Sequence, residues 1–419
     1  MMLLSVALAS SWARRHTLLF IVLTIAFSVM LLLSVEKIRE EVRDSFNRSV
    51  SGTDLIVGAR GGELQLILYS IFHIGQASNN MSWTSFELIK NNKQVAWAEP
   101  ISLGDSHKGF RVVGTSASFF EHYRTGLQKK LLFQQGKGFS DLFDTVVGAD
   151  VARQLGYQVG SRITLSHGVG KTSFSEHDDR PFSVIGILQP TGTPVDQSVF
   201  VSSQAIEAIH DGWQAGSRIR GQQLSEGEIR KKILQPKELT AVLVGMKSKL
   251  GTFHLQRQIN NYKAEPLQAV LPGVALQQLW QLIRVAENAL LLVSACVVLA
   301  GFIGMLAVLL TSLGTRRKEM AILRSIGATP WHIISLLVFE STLVSLVGTI
   351  TGMLLSFGLL MFAGPLFELH FGLFIQSAGL SLEDLPILLG VIFAGALTGL
   401  WPGYRAYQMT AADGLTVRY

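Results

Sequence analysis

Residues 17–35 carry no charged side chain, and similar runs follow at 288–313, 333–367 and 385–404, the third broken only by Glu340. An α-helix rises about 1.5 Å per residue, so each run can cross a hydrocarbon layer of about 30 Å. Backbone groups in lipid must satisfy their own hydrogen bonds, which makes helices the form expected of such runs. A composition that is 48% hydrophobic and only 16% charged agrees with this. The first run has the alternative of being a cleaved leader. It is longer than an ordinary leader core and passes into Glu36, Lys37 and Ile38 without a small-residue cleavage site, so an uncleaved anchor is expected.

Positive charge sets the expected orientation. Arg14, Arg15 and His16 precede the first run, Arg316, Arg317, Lys318 and Arg324 separate the second from the third, and Arg405 and Arg418 follow the fourth. The segment between the third and fourth has no Lys or Arg. Cationic loops stay on the cytoplasmic side. The expected organisation is a cytoplasmic N-terminus (1–16), transmembrane helix 1 (17–35), an extracytoplasmic segment (36–287), helix 2 (288–313), a cytoplasmic loop (314–332), helix 3 (333–364), a short outer loop (365–384), helix 4 (385–404) and a cytoplasmic C-terminus (405–419). The net charge of +6 is assigned to these flanks rather than to nucleic acid, because no aromatic-interleaved basic stripe accompanies it. Small residues four apart at Gly348 and Gly352 and at Gly395, Gly399 and Gly403 suit close helix packing better than a substrate role.

The outer segment reads as a folded domain on two helical stalks. Val35, Ile38, Val42 and Phe46 recur at helical spacing among charged residues, and Leu276, Leu279 and Ile283 repeat the pattern after the break at Pro272 and Gly273. The two stalks are expected to pack together. Between them, branched runs at residues 54–57, 110–113, 145–147, 162–165, 182–188, 198–201 and 239–244 read as strands. Residues 64–72, 150–155, 203–210 and 252–262 read as helices. The fold class is therefore membrane α-helical, with four transmembrane helices and a large α+β extracytoplasmic domain, in one lobe or two, inserted between helices 1 and 2. Residues 214–237 read as a long loop or an insertion.

Two local patterns in this segment have competing readings. Gly168, Gly170, Lys171 and Thr172 end like a phosphate-binding loop, but Leu165 stands where the first glycine is required. His167, His177, Asp178 and Asp179 are a possible zinc or copper set or a solvated polar loop. Cys296, the sole cysteine, rules out a disulfide or a cysteine cluster in this sequence. No nucleophile, base and orienting group form a triad, so no catalysis is expected.

The segment TRRKEMAILRSIGATPWHI at residues 315–333 closely resembles the signature of the FtsX-like permease family, which includes MacB and the LolC and LolE exporters. WPGYRAYQMTAADGLTVRY at 401–419 resembles the family's closing segment, with Gly414 in place of an alanine-like residue. VVGADVARQLGYQVGSRITL (146–165) and FSVIGILQPTGTPVDQSVFV (182–201) resemble the MacB-type outer domain. The resemblance implies that Arg316, Arg317, Lys318, Glu319, Met320, Leu323, Arg324, Gly327 and Ala328 form a coupling helix docking on a cytoplasmic ABC ATPase. It implies a bacterial inner-membrane, multi-pass permease working as a homodimer or paired permease, among membrane lipid, with a periplasmic adaptor or cargo-binding protein as a further possible partner. ATP and magnesium would belong to the ATPase, and no cofactor to this chain. ATP binding would drive the outer domain through the stalks to export or extract cargo. A second reading is an FtsX-type signalling protein that controls an extracytoplasmic partner such as a cell-wall hydrolase.

Overall fold

The computed structural model describes residues 15–50, 52–126, 128–168, 180–211, 213–214, 217–218, 226–230, 232, 234–315, 317–325, 327–371, 381–382 and 384–408. The main elements, in chain order, are α1 (Arg15–Ser49), β1 (Leu55–Ala59), α2 (Glu63–Ser70), α3 (Trp83–Lys90), β2 (Val95–His107), β3 (Phe110–Thr115), β4 (Phe133–Gly136), β5 (Asp144–Val147) and α4 (Ala149–Leu155). There follow β6 (Phe182–Leu188), β7 (Ser198–Ser202), α5 (Ser203–His210), β8 (Ala241–Met246), α6 (Lys249–Asn260), β9 (Leu267–Val270), α7 (Pro272–Thr315), α8 (Arg317–Ser325), α9 (Pro330–Phe371) and α10 (Leu385–Gln408). The chain divides into two compact units, one of Met1–Glu41, Arg284–Leu366 and Ile375–Tyr419, the other of Val42–Ile283 and Phe367–Phe374.

The second unit is built on one mixed sheet with the order β9-β1-β8-β2-β3-β7-β5-β6-β4. Only β6 with β5 and β7 with β3 run parallel along it. Side chains alternate across a pleated sheet. Accordingly Ile56, Ile101, Val113, Val146, Phe200 and Leu243 turn to one face and share a single core. On the opposite face the sheet carries two separate cores. Leu55, Val57, Val242 and Val244 pack with Phe86 and Ile89 of α3 and Leu255 and Ile259 of α6, while Val112, Val147, Val199 and Val201 pack with Val151 of α4 and Ala205 and Ile209 of α5. Each such side chain, once fully buried, contributes about 1.5–3 kcal/mol. The question of one lobe or two thus resolves into one sheet backed on one face by two separate helix groups.

A single strand joins the halves. The thirteen residues of β2 pair with β8 from Val95 to Ile101 and with β3 from Ser102 to His107, with a bulge between Leu103 and Ser106. Nothing in the local pattern announces it, because Glu99, Pro100, Ser102, Gly104 and Asp105 interrupt the apolar run. Of the expected 214–237 insertion, 213–214 and 217–218 form a small hairpin and Glu226–Ile229 a helical turn; most of the remainder lies outside the described residues.

The other unit holds α1 as far as Glu41, α7 from Arg284 onward, α8, most of α9, and α10. The helices α1, α7, α9 and α10 are long and apolar enough to cross a membrane. The glycines expected to pack helices do so. A methyl group on Gly352 would sit 2.5 Å from the Ala26 carbonyl oxygen of α1, and Gly348 lies against Ile25. On α10, Gly395 and Gly399 receive Ser345 and Ser341 of α9, and Gly403 lies against Ile334. The chain is thus a four-helix membrane protein carrying an α+β domain between its first helix and the rest.

Candidate coupling helix and stalk segments

The basic segment between α7 and α9 folds into the nine-residue helix α8. Arg317, Lys318, Glu319 and Leu323 lie on its backbone, whereas Arg316 is outside the described residues. Met320 and Ala321 are buried, Met320 in a cluster with Leu313, Ile333, Leu337 and Ala406. Met320 is therefore an internal anchor, whereas the expected docking face had Met320 turned outward with Leu323 and Gly327. Gly327 lies past the helix end at φ +103°, donating its N–H to the Arg324 carbonyl at 3.1 Å. It ends the helix, since positive φ is the conformation glycine adopts without steric cost. Ala328 follows, half-buried. Among the described side chains of this helix, the exposed apolar one is Ile322, at 55%, a residue not singled out from sequence.

The stalk residues also differ from expectation. Val35, Ile38, Val42 and Phe46 are only half-buried, and from residue 34 to the end of α1 the buried stripe is polar: Ser34, Lys37, Glu41, Ser45 and Ser49. Lys37 and Glu41, read from sequence as part of the charged surround, are inside. Within the helical unit, Lys37 Nζ meets Asp384 Oδ2 at 3.1 Å and donates to Ser381 Oγ at 3.0 Å. Ser34 and Ser356 share a 3.0 Å hydrogen bond. Within the outer unit, Ser45 Oγ donates to the Gly192 carbonyl at 3.1 Å, and Tyr123 donates to the Ser49 carbonyl at 2.7 Å.

The expected stalk pairing is found at one level of the outer unit. The Phe46 ring lies 4.3 Å from Phe72 and meets Trp280 edge-on at 5.5 Å. Leu276 is buried in the same core, with Leu279 packed against it and Ile283 half-buried. Trp280, Ser45 and Tyr123 were not singled out from sequence. The recurrence of serine at positions 45 and 49, one helical turn apart, was the available signal.

The loop that grips Ser45 is itself shaped by a buried carboxylate. Asp196 accepts from Thr191 N at 2.9 and 2.8 Å, Thr191 Oγ1 at 2.9 Å and Gly192 N at 2.7 Å. Burial nevertheless pushes Asp196 up to about 6, against the pull of these bonds and with the nearby charge of Asp150 adding to the rise. A carboxylate raised in the folded state binds its proton there more tightly than in the unfolded chain. Stability from this group is therefore present below about pH 4 and is lost as pH rises toward 6, by about 3 kcal/mol. Wild type compared with Asp196→Asn should accordingly lose relative stability between pH 4 and 7 in thermal unfolding. A difference that stays flat with pH would refute this.

Of the metal candidates, His167 pairs through its backbone with Asp105, while His177, Asp178 and Asp179 lie outside the described residues. Among the described residues no three His, Cys, Asp or Glu stand together as a metal site. Gly168 takes a turn conformation at φ +88°, and residues 170–172 of the phosphate-loop decoy are also outside the described set.

Comparison with known proteins gives two family matches. Residues 16–244, more than half of the chain, match the MacB-like periplasmic core domain, and residues 291–411 match the FtsX-like permease C-terminal domain. A relative is the macrolide export ATP-binding/permease protein MacB of Chromobacterium violaceum, 27% identical over 205 residues. That match covers 48% of this chain and only 29% of the relative's length. Among solved structures, the periplasmic region of MacB from Actinobacillus actinomycetemcomitans aligns at TM-score 0.34 and 10% identity, covering 56% of this chain and 97% of its own. The extracellular domain of the noncanonic ABC-type transporter YknZ from Gram-positive bacteria aligns at 0.30 and 14%, covering 52% and 98%.

Proposed function

Because the chain belongs to the family of FtsX-like permeases with a MacB-like periplasmic core domain, we propose that it is the permease subunit of a bacterial ABC transporter complex. A separate cytoplasmic ATPase, holding ATP and magnesium, docks on α8. The permease works in the inner membrane as a homodimer or paired permease. ATP-driven closure reaches the outer domain through the outer parts of α1 and α7, and that domain exports or extracts periplasmic cargo, alone or with an adaptor. The observation that carries this reading is α8 itself, a short helix in a basic segment between two spans, anchored inward by Met320 and Ala321 with Ile322 exposed.

The reading predicts that anchor and docking residues fail differently. Ile322→Asp should leave the protein folded and inserted but weaken ATPase binding at least tenfold, since a charge in the desolvated centre of an interface is poorly tolerated. Met320→Asp should instead lower the unfolding midpoint of the permease, because it places a charge among Leu313, Ile333 and Leu337. Co-purification with the ATPase from nanodiscs and thermal unfolding separate the two. Normal ATPase binding by Ile322→Asp would remove α8 as the docking surface.

A further inference from the structure

In the outer unit, α1 and the sheet line an open-sided cavity of about 310 Å³, walled by Phe46, Phe72 and Phe110, with Arg111, His73 and Ser198 among its polar groups. A volume of this order suits a small organic ligand. Arg111 is half-buried, and its guanidinium donates to the Gly75 carbonyl, with no carboxylate paired to it among the described residues. A cation withdrawn from water without a counter-ion is unfavourable, so the cavity offers a place for an anion.

The neighbouring groups limit which anion. Ser198 Oγ donates to the Pro194 carbonyl at 2.8 Å, which leaves it only lone pairs toward His73 Nδ1 at 2.9 Å. His73 therefore carries a proton on Nδ1. Burial first, and the Arg111 charge second, hold its pKa at about 4, so the ring is neutral at physiological pH, with Nε2 as its acceptor. The charged group the cavity presents is thus the Arg111 cation, set against three aromatic rings. A doubly charged group would leave one negative charge unbalanced there.

We propose that this cavity binds an amphipathic monoanion, with a single carboxylate or equivalent oxyanion on Arg111 and an apolar chain against Phe46, Phe72 and Phe110. The site is independent of the transport reading, because binding is measured directly without ATP or an ATPase.

The test uses the full chain in phosphatidylcholine nanodiscs and a decanoate carrying a photoreactive diazirine at its chain end. Irradiation and peptide mapping should place the label on the segments holding Phe46, Phe72 or Phe110. Unlabelled decanoate and decyl sulfate should compete, whereas decanol, decyltrimethylammonium and the doubly charged decyl phosphate should not. Arg111→Gln should reduce labelling at least tenfold. Phe110→Trp, which keeps the charge but fills space, should reduce it independently. Labelling confined to the membrane helices, equal competition by decanol, or unchanged labelling in either variant would overturn the proposal.

Discussion

Lys37→Met is expected to destabilise the protein by about 3–5 kcal/mol, the cost of leaving one member of a buried ion pair without its partner. Lys37 is 7% exposed and Asp384 3%. Without the ammonium, the Asp384 carboxylate keeps the backbone N–H of Ser381 at 2.8 Å. The reverse change should cost less. Asp384→Asn leaves Lys37 its second carboxylate, Glu40, at 3.2 Å. Removing both charges as Lys37→Met with Asp384→Leu should recover most of the loss, because a well-packed apolar pair avoids desolvating two ions. Unfolding midpoints of the four proteins in one lipid composition give the comparison. Equal midpoints for wild type and Lys37→Met would show that the pair stays hydrated and contributes little.

Crosslinking α1 to α7 at Phe46 and Trp280 is expected to abolish ATP-driven function while the ATPase still docks. Their rings meet within the outer unit, so a link there opposes any movement of one helix past the other at that level. A conformational cycle needs an element whose two states differ in free energy between ATP-bound and free forms. Holding that element in one state stops the cycle however well ATP binds. Cys296 is the sole native cysteine and is replaced first by alanine. Phe46→Cys with Trp280→Cys is then joined by a short, reductively cleavable bismaleimide. Activity should vanish on crosslinking and return on cleavage. Full turnover by the crosslinked protein would exclude relative movement of these segments from the mechanism.

These experiments probe contacts that differ in how far the sequence announced them. The glycines at 348, 352, 395, 399 and 403 announced close packing, yet not that Ala26 and Ile25 of α1 would meet the first pair or that Ser345 and Ser341 would meet two of the others. The basic segment announced a helix between two spans. Which residues that helix turns inward was not announced, because Met320 and Gly327 share a helical spacing in sequence, whereas Met320 is buried and Gly327 lies beyond the helix. A periodicity count assumes the helix continues, and a glycine at positive φ ends it.

The sequence by itself determined the four membrane helices, the branched strands such as Phe182–Leu188 and Ser198–Ser202, and the family. Charge-free length and period-two alternation are local properties, imposed by lipid thickness and by the pleat. Only the tertiary structure decided that residues 95–107, interrupted by Glu99, Pro100, Gly104 and Asp105, form one long strand, where pairing with β8 along its first half and β3 along its second outweighs weak local propensity. Likewise it decided that α1 buries Lys37 and Ser45 rather than Val35 and Val42. A buried polar side chain is tolerated only where its partners stand ready. For Lys37 and Ser45 those partners, Asp384 and Gly192, come from distant parts of the chain that folding alone brings within hydrogen-bond reach.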